Sequence, residues 1–395
     1  MRCAHYYMRI KTAMRYRSAI FICASLIGAC IGTCIDSSPA WATESPPWVL
    51  GGENTVTLYG SVDEGVEYIT GQAVGKGTAS SLRTGWGTDT SFFGIRGNEA
   101  LGGSLRAIWD LEGGFQASNG TASQGGRLFG RQSYVGVAGD FGSLTFGRQY
   151  TMRAYAIKPI NPFGFGAQGL TTLDNGIANP RADNSISYRY HIDGFETGVN
   201  YSFGRDAVDG DSVVATNCPG ETSPSNECRE WSALLKYESR IWGVVSAYER
   251  NYGGTSATWG GLTSPKLTDS RFILGAYFNV RSARFGAGWI RRDDEGISTP
   301  KSNLVWVTGT VPVSPALSFD SEVAELKYDH TPDKAVIFVL RAVYTLSRNT
   351  ALYVTGEHIK NSGALALSAS TIIPVVGPPE GGSQTSVIAG IRHRF

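Results

Sequence analysis

Cysteine is scarce and unevenly placed. Of six in 395 residues, four (Cys3, Cys23, Cys30 and Cys34) fall near the start of the chain. The other two, Cys218 and Cys228, share the polar stretch TNCPGETSPSNECRE, with no histidine or further cysteine nearby. In an exported chain that spacing predicts a disulfide; a metal site would need more ligands. Methionine (4) and histidine (5) are also rare. Beyond residue 42 no apolar run reaches about 18 residues, which excludes helical membrane spans. Helical periodicity is missing there as well. With a formal charge of +1 and no basic stripe, nothing marks a nucleic-acid binder. There is no phosphate loop, metal-spaced His/Cys cluster, dinucleotide fingerprint or nucleophile motif, so neither cofactor, metal nor catalysis is expected.

Glycine and aromatic residues are abundant instead. The 50 glycines stand well above the roughly 7% typical of proteins. Tyrosine (18), phenylalanine (17) and tryptophan (9) are plentiful. The N-terminus has its own order: basic MRCAHYYMRIKTAMRYR, apolar SAIFICASLIGACIGTCI, then SPAWAT. That order predicts a secretory signal over residues 1–42, cut after Ala42. A membrane anchor and a lipoprotein-type cleavage before Cys30 are the alternatives. Residues 43–54 then form a short lead, and 55–395 a single domain.

From residue 55 onward the chain reads as a relay of short alternating strands. In TVTLYGSVDEGVEYI, Val56, Leu58, Val62, Val66 and Tyr68 share one face, opposite Thr57, Tyr59, Ser61, Asp63 and Glu67. SLRAIWDLEGGF sets Leu105, Ala107, Trp109 and Leu111 against Ser104, Arg106, Asp110 and Glu112. Similar segments bring the total to about sixteen strands. Short turns such as Gly139-Asp140 and Asp193-Gly194 alternate with long polar connections. A soluble sandwich does not explain that asymmetry. An all-β, antiparallel transmembrane barrel does, with short turns on one side of the membrane and long loops on the other. The final SVIAGIRHRF alternates to its last residue, which predicts pairing with the first strand to close the barrel.

The segments FFGIRGNEALGGSLRAIWDLEGGF, GRLFGRQSYVGVAGDFGSLTFGRQY, RADNSISYRY, YTLSRNTALY and GIRHRF follow one another in an order that carries a resemblance. Together they resemble the trimeric general porins of β-proteobacterial (Burkholderia- and Neisseria-type) outer membranes, across nearly the whole chain after residue 42. The resemblance implies a homotrimer of sixteen-stranded barrels embedded in outer-membrane lipid. Ions and small hydrophilic solutes would cross each by passive diffusion. It also implies that the strand ending in Phe395 is read by the barrel-insertion machinery, and that a long third loop folds into the lumen. That loop corresponds to residues 150–180, where the alternation breaks.

Selectivity in such a pore depends on lining charge. Strand parity points Arg96, Arg106, Arg127 and Arg131 inward, with Asp63, Asp110 and Glu112. The loop carries Arg153, Lys158 and one acid, Asp174, with Arg181 and Asp183 just beyond. The family pattern sets acids on this loop against arginines on the wall. Here the acidic side is thin, and Phe92 stands where an arginine is usual. A weakly anion-leaning pore is expected; the alternatives are lumen charges that set no preference, or a substrate-specific channel of the same architecture. Arg148 shares parity with outward Leu144 and Phe146, so it is expected at a subunit contact or snorkelling to the interface. Glu64 faces outward too, at a subunit contact or a bulge.

Overall fold

The computed structural model describes residues 48–51, 54–206, 218, 227–255, 261–298 and 300–395. The expected signal segment lies outside them. The described residues form eighteen antiparallel strand segments in one closed sheet. The first nine are β1 (Trp48–Gly51), β2 (Asn54–Val74), β3 (Gly77–Gly85), β4 (Ser91–Gly102), β5 (Leu105–Phe115), β6 (Gln132–Gly139), β7 (Gly142–Tyr150), β8 (Arg181–Ile192) and β9 (Phe195–Ser202). The rest are β10 (Glu230–Glu238), β11 (Trp242–Tyr252), β12 (Thr268–Val280), β13 (Ala283–Asp294), β14 (Lys301–Pro312), β15 (Leu317–Tyr328), β16 (Lys334–Thr345), β17 (Thr350–Ser362) and β18 (Ser383–Arg394).

These segments make a sixteen-strand barrel, because β3 and β4 share one place in the wall and β1 is only a short addition beside the start of β2. The lower part of β2 pairs with β4 and its upper part with β3. Between them Trp86–Thr90 leaves the wall. β1 adds a short pairing to β2, so part of the lead belongs to the sheet. The seam joins β18 to β2 from Ser386↔Ile69 to Arg394↔Ser61. Below it, Phe395 and Gly60 exchange backbone hydrogen bonds of 3.0 and 3.1 Å. The Phe395 ring lies over Gly60, where an added Cβ would stand 2.5 Å from it.

Hairpin chemistry sets the short-turn rim. Asp193 and Gly194 both take positive φ (48° and 83°), the requirement of a two-residue type I′ turn matched to strand twist. On the outer face Val66, Leu274, Phe338, Val354 and Val387 are exposed, forming the apolar band a barrel presents to lipid.

The inner face is not uniform. On β2–β9 it is polar, with Asp63, Glu67, Asp110, Ser185, Ser187 and Asn200 buried or half-buried. On β10–β17 an apolar belt crosses it: Val245, Ile273, Ile290, Leu304, Ile337 and Ile359 point inward and are almost fully buried, between inward charges such as Glu249, Arg271, Glu322 and Glu357. The loop after β7 covers them.

Candidate pore constriction

Residues 151–180 leave β7 and run inward through a helical turn (Met152–Ile157), two 3-10 turns (Lys158–Ile160 and Leu170–Thr172) and a second short helix (Asn175–Ala178). Met152, Ile157, Ile160, Leu170 and Ile177 form one apolar cluster with the inner face of β10–β17. Ile160 sits where the wall has no side chain: a Cβ on Gly275 would fall 2.2 Å from its Cδ1. Burying a large aliphatic side chain contributes roughly 1.5–3 kcal/mol, so the loop is a packed layer.

Polar contacts fix its path. Trp306 Nε1 donates to Ile160 O (3.2 Å) and Arg341 to Pro162 O (2.6 Å). Gly169 N and Thr172 Oγ1 donate to the Glu357 carboxylate at 2.6 and 2.8 Å. At the far end Gln168 reaches Ser386 on β18 (2.9 Å), and Ala167 N donates to Gly87 O (3.2 Å). The loop thus spans from β7 to the barrel seam, leaving its other side towards β2–β8.

Its charged residues are turned to the wall. Asp174 accepts from Arg271 Nε and Nη2, both at 2.8 Å. That guanidinium holds the carboxyl well below the usual range. Arg153 pairs with Glu249 and donates to Asn179 O (2.9 Å). Lys158 remains exposed on the open side, among Lys236, Arg189, Asp89 and Glu112.

The facing wall carries the other charges. Arg96 is exposed, 5.1 Å over the Tyr59 ring. Tyr59 donates to Asp110 (2.7 Å) and Glu112 (3.0 Å), and both carboxylates are almost fully buried. Arg131 pairs with Glu112 and Asp89 and lies 4.2 Å over Phe92. An aromatic ring therefore occupies the place expected of a second arginine and packs beneath the first. Arg392 and Arg394 on β18 are half-buried beside Arg341, and Arg392 donates to Thr88 Oγ1 (3.0 Å). Aromatic rings line the loop side: Phe165 stacks on Tyr150 (5.8 Å), next to Tyr155 (6.3 Å). Arg189 lies 3.7 Å over Tyr155.

Arg96, Asp110, Glu112, Arg131 and Lys158 thus come together, with Arg106 exposed further down β5. Other expectations need correcting. Asp63 does not line a pore: it is fully buried and holds the inward segment, accepting from Gly87 N (3.3 Å), Thr88 N (3.1 Å), Asp89 N (3.3 Å) and Tyr353 Oη (2.5 Å). Arg127 lies in the β5–β6 connection, so strand parity does not apply; it pairs with Asp183 and Asp206. Arg153 and Asp174 are locked between loop and wall. Arg181 lies 4.5 Å over Tyr150 and donates to its hydroxyl (2.8 Å). Arg148 needs no neighbouring subunit. The register shifts between Gly147 and Gln149, and Arg148 folds against its own chain, donating to Gly130 O (2.7 Å) and Asp183 (2.5 Å). Glu64 faces outward at the level where β3 gives way to β4, and among the described residues its buried Oε1 has no hydrogen-bond partner. Cys218 and Cys228 are joined at 2.01 Å. Sequence reasoning missed Asp89, outside any strand, and Arg341, which shares a parity with apolar Ile337 and Val339.

Comparisons with known proteins agree on one family. A model described as "Gram-negative porin" matches residues 24–364. Outer membrane porin protein 32 of Delftia acidovorans is 31% identical over 366 residues, covering 87% of this chain and 95% of that protein. An outer membrane porin of Bordetella pertussis is 29% identical over 382 residues, with the same coverages. Among solved structures, the anion-selective porin from Comamonas acidovorans superimposes with a TM-score of 0.70 at 25% identity, covering 87% of this chain and all of that one. OmpT of Vibrio cholerae, in a trimer form, shares the fold at a TM-score of 0.62 and 15% identity, covering 87% of this chain and 100% of its own.

Proposed function

The chain belongs to the Gram-negative porin family, passive-diffusion channels of the outer membrane, and on that premise we propose that this pore leans weakly towards anions. One observation carries the reading. The charges left exposed or half-exposed around the opening are Arg96, Lys158, Arg392 and Arg394 against one half-exposed acid, Asp89, whereas Asp110 and Glu112 are tucked under Tyr59 and Arg131. Lining charge of one sign raises the local concentration of the opposite ion. The anion selectivity named for the Comamonas porin points the same way. Small hydrophilic solutes are the cargo, and the channel performs no chemistry of its own. Reversal potentials in a salt gradient across planar bilayers test this: a modest anion preference is expected, and strong cation preference would overturn it.

A substrate-specific channel is the second reading, favoured by Tyr150, Tyr155 and Phe165 with arginines over the tyrosine rings. It predicts conductance that saturates with one solute, where the general pore predicts none. In the membrane the protein forms a homotrimer, and the outward Glu64 carboxylate meets a neighbouring copy. An SDS-resistant, heat-modifiable oligomer is the expected signature. Residues 1–42 are removed on export, which mass spectrometry of the outer-membrane form checks. Phe395 is offered to the insertion machinery, so deleting it lowers the folded yield in cells and leaves the conductance of assembled channels unchanged.

A further inference from the structure

Behind the loop, away from the constriction, lies a cavity of about 310 Å3 at the long-loop rim of β8–β15. That size is at the low end of the roughly 300–1,000 Å3 of pockets that hold small molecules. Most charges around it neutralise one another. Arg153 pairs with Glu249, Arg271 with Asp174 and Asp269, and Arg292 with Asp269 and Asp294. Asp206 is held by Arg127.

Two lining groups stand outside these pairs. Arg205 is 6% exposed and Glu230 2% exposed, and both border the cavity. Among the described residues, Arg205 Nε and Glu230 Oε1 have no hydrogen-bond partner, and neither side chain joins an ion pair. They do not pair with each other, although they sit on neighbouring parts of the wall: Arg205 N donates to Cys228 O, two residues before Glu230. Each lies in the field of opposite charges, Glu230 near Arg205 among them, but among the described residues neither makes a direct hydrogen bond or ion pair with one, and a ligand carrying both signs supplies those contacts. Arg181, whose Nη2 donates to Tyr150 Oη, adds a positive charge to the lining of the same cavity. Leu262 and Ile297 give it an apolar side.

We propose that this cavity binds a small zwitterion of the α-amino-acid type, its carboxylate on Arg205 and Arg181 and its ammonium on Glu230. A lone anion leaves Glu230 unmatched, and a lone cation leaves Arg205 unmatched. The site holds the solute on the loop's wall side, before the constriction. It does not depend on the sign of the pore's ion preference, which reversal potentials measure separately.

Isothermal titration calorimetry on the assembled channel in detergent tests the proposal, with L-serine, N-acetyl-L-serine and L-serine methyl ester as probes. Saturable binding of L-serine is expected, with each single-charge analogue weaker by at least about tenfold. Arg205→Gln and Glu230→Gln should each weaken L-serine binding by a similar factor while bilayer conductance stays unchanged. Equal binding of N-acetyl-L-serine would make this an anion site and overturn the proposal. Equal binding of the methyl ester, or no saturable heat with L-serine, would overturn it as well. The probe series on the unaltered protein decides the matter even if a variant fails to fold.

Discussion

The two halves of the barrel's inner wall do opposite jobs with the same strand geometry. Along β2–β9 the inward positions are polar, and charges remain at the water-filled side. Along β10–β17 a belt of aliphatic positions serves as the seat of a folded loop. In a lumen full of water an apolar wall is unfavourable, so a cover is required. In the polar half a cover would strand charges. The loop lies on the side where it removes apolar area from water, and this leaves the opening beside the arginines. The bore's position thus follows from the hydrophobic effect, and its charge follows from which half is left bare.

Making the seat polar should have the largest effect. Ile273→Asp puts a carboxylate into the fully buried cluster and should cost about 4 kcal/mol. Loop release should raise single-channel conductance, and the folded form should convert to the unfolded form on gels at lower temperature. The same residue type at Thr57, opposite Arg96 in the polar half, should cost under about 1 kcal/mol and leave the conductance near its original value.

Next in size is the Asp174–Arg271 pair that clamps the loop's return. Asp174→Ala leaves a buried guanidinium with only Asp269, at a cost of about 3 kcal/mol. Its pH dependence has a definite sign. The folded carboxyl is depressed below the unfolded value of about 3.9. The stabilisation is therefore fully present above that value and lost as pH falls through the folded one. Conductance traces should stay quiet at pH 4 and become noisy only in stronger acid. In Asp174→Asn that acid-range transition should disappear.

On the bare half the effects are functional and smaller in energy. Arg96→Glu reverses an exposed charge at the opening and should lower the anion-to-cation permeability ratio by on the order of threefold, read from the reversal potential. Unchanged selectivity would remove Arg96 from the filter. Arg148→Ala should leave ion selectivity unchanged. It loses hydrogen bonds to Gly130 O and Asp183, worth about 1–2 kcal/mol, with the oligomer's dissociation temperature unchanged. A large drop in that temperature would return Arg148 to the subunit interface.

Strand alternation made much of this wall legible. Tyr59, Arg96, Asp110 and Glu112 lie inside, with Val62 and Val66 outside, as their parity demands. Misreadings arose where alternation stops. Arg127 is not on a strand. Arg148 follows a register shift at Gly147, and Asp63 is covered by a segment that leaves the wall at Trp86. The apolar seat was illegible for a different reason: in KAVIFVLRAVYT both faces of β16 are apolar, so alternation alone gives no inside or outside.

An exported relay of alternating strands, its last segment sealing against its first, is written into the chain locally. Those properties are local, because side-chain direction along a strand follows from covalent geometry and turn chemistry at neighbouring residues. Only the tertiary structure decided which charges meet water. Asp174 and Arg153 are hidden by Arg271 and Glu249, about a hundred positions further along the chain, while Arg96 and Lys158 are exposed. Burial depends on what lies across the lumen, and that contact is made by the folded loop.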